Sequence, residues 1–141
     1  MTAPLDVPEL VRQRANSNGS AGQRWLDELP ELVASLADRW DLVLGETFRG
    51  GTASFVASAT DQSGRDCVLK VAMPLDMDDI DSFHRSVLVH QLAAGRGCAL
   101  LYAYDGSAPA MLLERLGRNL AELDLPLSQV LETITATLRT F

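Results

Sequence analysis

With 141 residues, the chain has the length of about one domain. Twelve Lys and Arg against nineteen Asp and Glu leave a formal charge of −7 at pH 7. That balance argues against a binder of the nucleic-acid backbone, which would need a basic surface. A hydrophobic share of 47% with 22% charged residues is too apolar for intrinsic disorder and ordinary for a globular core.

Cys67 and Cys98 form no C-x-x-C pair, and His84 and His90 are the sole histidines, so a zinc site is not expected. Residues 1–6 lack the basic-then-apolar order of a secretion signal. No apolar run approaches the roughly 18 residues that span a bilayer. The expectation is a soluble, cytoplasmic protein with free thiols and with no nucleic-acid or membrane partner.

In chain order, Pro8 to Asn16 predicts a short helix with Pro8 at its first position. Ser17-Asn18-Gly19-Ser20-Ala21-Gly22 reads as a flexible break. From Arg24 to Trp40, Trp25, Leu29, Leu32, Val33, Leu36 and Trp40 recur at spacings of three and four, an amphipathic helix that Pro30 bends or divides. The period then shortens. Leu42-Val43-Leu44, Ala53 to Ala57 and Cys67 to Val71 predict three strands of an antiparallel meander. Gly45 to Thr52 links the first two, and Asp61-Gln62-Ser63-Gly64 turns between the second and third.

Pro74 ends the third strand, and Asp76, Asp78, Asp79 and Asp81 crowd a helix start, where carboxylates suit the dipole. Ile80, Phe83, Val87, Leu88 and Leu92 form the predicted apolar side of that helix, which Gly95-Arg96-Gly97 closes. Ala99 to Tyr104 and Ala110 to Glu114 predict a hairpin turning at Asp105-Gly106-Ser107. Pro126 opens a last helix through Val130, Leu131, Ile134 and Leu138, with no stop signal before residue 141, so the chain is expected to end within an element.

Two features carry chemistry. Gly45, Gly50 and Gly51 lie in one loop between two strands, where glycine lets backbone amides approach an anion and Thr52 can add a hydroxyl; an ordinary glycine-containing hairpin is the plainer alternative. Lys70 lies within the apolar strand Val68-Leu69-Lys70-Val71-Ala72, sharing a face with Val68 and Ala72. A buried ammonium there needs an anionic partner such as a nucleotide phosphate, whereas an edge-strand lysine would reach water. Cys67 and Cys98 read as packed thiols, Trp25 and Trp40 as core, and the Asp76–Asp81 run lacks calcium-loop spacing.

In order and spacing, several segments carry a resemblance. They are Arg24-Trp25-Leu26, Arg39-Trp40-Asp41-Leu42, Phe48-Arg49-Gly50-Gly51-Thr52-Ala53-Ser54, Val68-Leu69-Lys70-Val71, Ala94-Gly95-Arg96-Gly97-Cys98-Ala99 and Met111-Leu112-Leu113-Glu114-Arg115-Leu116-Gly117. Together they resemble the N-terminal lobe of aminoglycoside phosphotransferase-like kinases, in the streptomycin and hydroxyurea kinase branch. The resemblance implies an α+β, protein-kinase-like N-terminal lobe: a five-stranded antiparallel sheet with one packed helix, N-terminal helices and a truncated C-terminal helix. Residues 1–22 would be an N-terminal helix and flexible segment, 23–117 the nucleotide-binding lobe, and 118–141 the start of a helical second lobe.

The resemblance further implies that Gly50, Gly51 and Thr52 cover the phosphates of ATP and that Lys70 contacts the α- and β-phosphates. Glu114, Arg115 and Leu116 would form a hinge whose backbone bonds adenine. It implies ATP and Mg²⁺ as cofactors and a small-molecule hydroxyl as acceptor. Two departures accompany it. Counting back from Gly95-Arg96-Gly97 places the family's helix glutamate at Ser86, with Asp79 about 10 Å further along the helix and His90 one turn on. Either the register differs or Lys70 lacks its usual partner. After Gly117 the acids are Glu122, Asp124 and Glu132, with no His-x-Asp arrangement, so no catalytic base and no Mg²⁺ ligand are expected within these residues. The leading expectation is an ATP-binding lobe of a small-molecule O-phosphotransferase, inactive by itself. The alternative is a non-catalytic interaction domain derived from such a lobe, self-associating through its exposed face.

Overall fold

The computed structural model describes residues 4–74 and 79–141. Among the described residues, the architecture is α+β: four α-helices and one five-stranded antiparallel sheet. Helices α1 (Glu9–Ser17) and α2 (Gly19–Arg39) form a hairpin and precede β1 (Val43–Thr47), β2 (Ser54–Thr60) and β3 (Asp66–Ala72). Helix α3 (Asp79–Ala93) leads to β4 (Leu101–Asp105) and β5 (Ala110–Glu114). A 3-10 turn (Leu120–Leu123) and α4 (Leu127–Thr140) complete the order. The strands lie β1-β2-β3-β5-β4, so the last strand in sequence sits inside the sheet.

Each face of the sheet meets a different helical layer. Phe55, Ala57, Leu69, Val71 and Ala110 pack against Val11, Ala15, Trp25, Leu29, Val33 and Leu36 of the α1–α2 hairpin. On the opposite face, Met111 packs with Phe83 and Val87 of α3, and Ala72, Leu101 and Leu113 border them. The N-terminal helices therefore build the principal core rather than merely flanking a sheet with one packed helix. Among the described residues, no helix is long and apolar enough to cross a membrane.

Several expectations need correction. Ser17 to Gly22 is not a flexible break. Asn18 alone turns the chain, and α2 begins at Gly19, whose φ of +68° suits the reversal. Pro30 neither divides nor ends α2; it lies exposed within one continuous helix. Gly45 belongs to β1, so the linker to β2 shortens to residues 48–53. Among the described side chains of α3, Phe83, Val87 and Ala93 are buried, whereas Leu88 and Leu92 are exposed at 51% and 68%. The sheet covers less of α3 than a full amphipathic stripe would need. Asp76 and Asp78 lie outside the described residues.

Two aspartates organise the hairpin turns, as short polar side chains do when they accept backbone amides. Asp61 Oδ1 accepts from the Ser63 amide and hydroxyl at 3.0 and 2.7 Å and from the Arg65 amide at 2.9 Å. Asp105 Oδ1 accepts from the Ser107 amide and hydroxyl at 2.9 and 2.7 Å, while its other oxygen pairs with Arg39 at the end of α2. The Ser107 hydroxyl, then Arg39 and the Ser107 and Ala108 amides, hold the Asp105 pKa at about 2 against the raising effect of burial.

A carboxyl with a folded pKa below its unfolded value of about 3.9 stabilises the fold above that value. The contribution is lost as pH falls from about 4 through about 2. Asp105→Asn is expected to cost about 1–3 kcal/mol at pH 7. The gap from wild type should close between pH 4 and 2 in urea titrations, and a gap that persists at pH 2 would refute the assignment.

Candidate functional site

Lys70 occupies the middle of β3, paired with Val56 of β2 on one side and Met111 of β5 on the other. It is a central-strand lysine, which removes the edge-strand reading. Because side chains alternate along a strand, its neighbours Leu69 and Val71 enter the α1–α2 core while Lys70 faces the α3 side. There it lines a cavity of about 180 Å³ with Ser54, Ser82 and Ser86, over Phe83 and Met111.

Ser86, the position counted back from Gly95-Arg96-Gly97, shares the lysine's cavity. Ser82, one turn earlier on α3, joins it and was not singled out in the sequence. Ser54 was missed too. It opens β2 just two residues after Thr52, so the exit of the glycine loop and the lysine border one space. The side chain of Asp79 is outside the described set, and His90 is not available to Lys70. Its Nδ1–H donates to the Ala99 carbonyl at 2.9 Å, tying α3 to the approach of β4.

The loop of residues 48–53 is pinned at both ends. The Phe48 amide donates to the Val56 carbonyl at 2.8 Å, and the Met73 amide donates to the Ala53 carbonyl at 3.0 Å. Gly50, Gly51 and Thr52 between them are exposed. A Cβ at Gly50 or Gly51 would meet nothing within 4 Å, and neither has a positive φ. Neither the fold's packing nor its backbone geometry therefore requires glycine at these two positions. Gly45 is different: a Cβ there would sit 2.4 Å from the Ser58 hydroxyl.

At the other end of the sheet, Glu114 finishes β5. Its amide donates to the Leu100 carbonyl at 2.8 Å, and its carboxylate accepts the Leu100 amide at 3.1 Å. The side chain has a structural task, not the solvent-facing role of an idle strand end. Arg115 and Leu116 follow on the surface. The Arg115 guanidinium stands 5.8 Å from the centre of the Phe48 ring, within the range of a cation–π attraction. Phe48, Arg115, Leu116, Gly117 and Arg118 border a hollow of about 450 Å³. The structure therefore brings together Lys70 with the loop's exit, and the loop's entrance with the segment after β5.

Cys67 is a packed thiol: its Sγ–H donates to the Ala59 carbonyl at 3.5 Å, and burial pushes its pKa up. Glu122, Asp124 and Glu132 are exposed. Among the described residues, no three His, Cys, Asp or Glu side chains converge where a metal ion could sit. The cavity at Lys70, with its ammonium and hydroxyls, has the donor chemistry for a phosphate, whereas the described acids do not assemble a site for Mg²⁺.

Comparison with known proteins gives the same kinship as the motifs. The chain is 33% identical over 125 residues to a streptomycin 6-kinase of Streptomyces glaucescens, covering 85% of this chain and 38% of that protein. It is 35% identical over 125 residues to a hydroxyurea phosphotransferase of Kitasatospora aureofaciens, covering 86% and 35%. A streptomycin 6-kinase of Streptomyces griseus matches at 32% over 123 residues, covering 85% and 38%. The chain spans little more than a third of the length of the curated relatives it matches. No protein-family model matches it.

Proposed function

Since the chain is related along most of its length to streptomycin and hydroxyurea phosphotransferases, we propose that it is the ATP-binding, kinase-like N-terminal lobe of a small-molecule O-phosphotransferase. The observation that carries this reading is the cavity shared by Lys70, Ser54, Ser82 and Ser86 at the exit of the glycine loop. Lys70 contacts the α- and β-phosphates there, and the amides of Gly50, Gly51 and Thr52 close over them. Glycines that the fold itself does not need are explained by the close approach of a ligand. The backbone of Glu114, Arg115 and Leu116 bonds adenine beside the hollow at Phe48.

ATP supplies the transferable phosphoryl group, and the acceptor is a hydroxyl of an antibiotic-sized molecule of the streptomycin or hydroxyurea kind. The described residues assemble neither a positioning carboxylate nor a set of Mg²⁺ ligands, and on this reading the chain by itself binds nucleotide without turning it over. Isothermal titration with Mg-ATP is expected to show weak saturable binding and no ADP release in the presence of streptomycin or hydroxyurea. Absence of any heat at millimolar nucleotide would sink the reading.

One observation favours a second reading, an interaction domain that self-associates. Helix α4 exposes Leu127, Leu131, Ile134 and Leu138, the last at 71%, and buries none of its residues. An apolar stripe of this kind marks an interface or an aggregation liability. On this reading, light scattering gives a dimer indifferent to Mg-ATP, and Leu131→Glu with Ile134→Glu returns it to monomer. A wild-type monomer at high micromolar concentration rules it out.

A further inference from the structure

We propose that Asp6 and Arg49 form a latch that holds the glycine loop away from the Lys70 cavity and must open during nucleotide capture, an inference that rests on the nucleotide-binding reading above. Backbone pairing extends from β1 to Phe48, whose amide still bonds the Val56 carbonyl. Consecutive side chains in an extended backbone point to opposite faces. Phe48 accordingly meets Arg115, while Arg49 pairs with the Asp6 carboxylate.

Asp6 lies on the far side of the sheet from the cavity. Its neighbours Leu5 and Val7 pack into the core that contains Phe55, Leu69 and Val71, the face opposite Lys70. The guanidinium is therefore drawn toward one face of the sheet while the proposed phosphate site opens on the other. Among the described residues, this pair is the sole side-chain hydrogen bond or ion pair made by positions 49–52 between the anchors at Phe48 and Ala53.

Both partners are 63% exposed, so the pair is a weak restraint that an incoming anion can break. A triphosphate offers a guanidinium a multiply charged, bidentate partner in place of a single carboxylate. The loop then carries its amides and Arg49 across to the Lys70 side. Asp6 acts here as a positioning residue; it never touches the ligand.

The test uses Asp6→Ala, Asp6→Glu, Arg49→Gln and the Asp6→Ala/Arg49→Gln double variant. Trypsin must take a free arginine, so cleavage after Arg49 reports on the latch without nucleotide, with cleavage after the exposed Arg96 of the Gly95–Gly97 loop as internal reference. Asp6→Ala is expected to speed Arg49 cleavage about two- to fivefold, the range of an exposed ion pair, and Asp6→Glu to restore the wild-type rate. In Mg-ATP titrations Asp6→Ala should bind up to about fivefold tighter, with the gain abolished on the Arg49→Gln background.

Unchanged cleavage overturns the latch whatever the nucleotide does. Faster cleavage with unchanged or weaker Mg-ATP binding overturns its part in capture. If cleavage accelerates but no variant, wild type included, binds Mg-ATP, the nucleotide-binding reading is what fails, and the capture step falls with it.

Discussion

Mg-ATP titrated into Lys70→Met is expected to bind about 10- to 150-fold more weakly than to the wild type. That span corresponds to losing one charge-assisted hydrogen bond of about 1.5–3 kcal/mol. Methionine keeps the apolar stem that lies along Met111 and Ala72, so the fold should be untouched. No carboxylate among the described residues lines the lysine's cavity, so removing the ammonium strands no buried counter-charge. A melting temperature within a few degrees of wild type, together with the affinity loss, separates binding from folding. Equal affinities would show that Lys70 does not meet the phosphates. Ser86→Glu offers the converse: a carboxylate restored beside Lys70 should draw the ammonium into an ion pair and alter affinity only while Lys70 is present.

The largest stability effect is expected at Gly22. A Cβ there would lie 1.8 Å from the carbonyl oxygen of Ala15 and 2.6 Å from its carbonyl carbon. Both atoms are backbone, so no rotamer change relieves the clash. Gly22→Ala must separate α1 from α2 and open the core around Val11, Ala15 and Trp25. The expected cost is at least about 3 kcal/mol, read from the urea midpoint. Gly19 is the natural comparison: with open space around it and φ at +68°, alanine there costs about 1–2 kcal/mol of left-handed strain alone. A Gly22→Ala midpoint equal to that of Gly19→Ala would refute the close crossing.

These two residues show what the sequence could and could not disclose. Lys70 was legible because a lone cation in an apolar strand is an electrostatic anomaly, and strand alternation assigned its face. Ser86 was reached by counting from a glycine stop, and it lines the cavity together with Ser82, which no count singled out. Gly22 was not, because a glycine beside Ser, Asn and Gly reads as a flexible turn, and only the third dimension shows α1 lying against it. Leu88 and Leu92 were misassigned for a related reason: periodicity names an apolar stripe but not how much of it a neighbour covers. The Asp6–Arg49 pair and the Leu100–Glu114 bond join residues distant in sequence, and no local spacing announces them. The starts of α1 and α4, the strand runs and the aspartate turns are set by near neighbours and were found close to where expected, whereas α2 starts at Gly19 rather than Arg24.

The position of β5 has a bearing on synthesis. Because this strand inserts between β3 and β4, the centre of the sheet stays open until residue 114 has left the ribosome. Until then the nascent chain presents one side of Cys67–Val71 as an unsatisfied apolar rim, the kind of template on which other chains assemble. The α1–α2 hairpin, made first, can shield one surface of β3 but not its hydrogen-bonding border. That border is guarded only by speed, or by whatever chaperone reaches it before the final strand arrives.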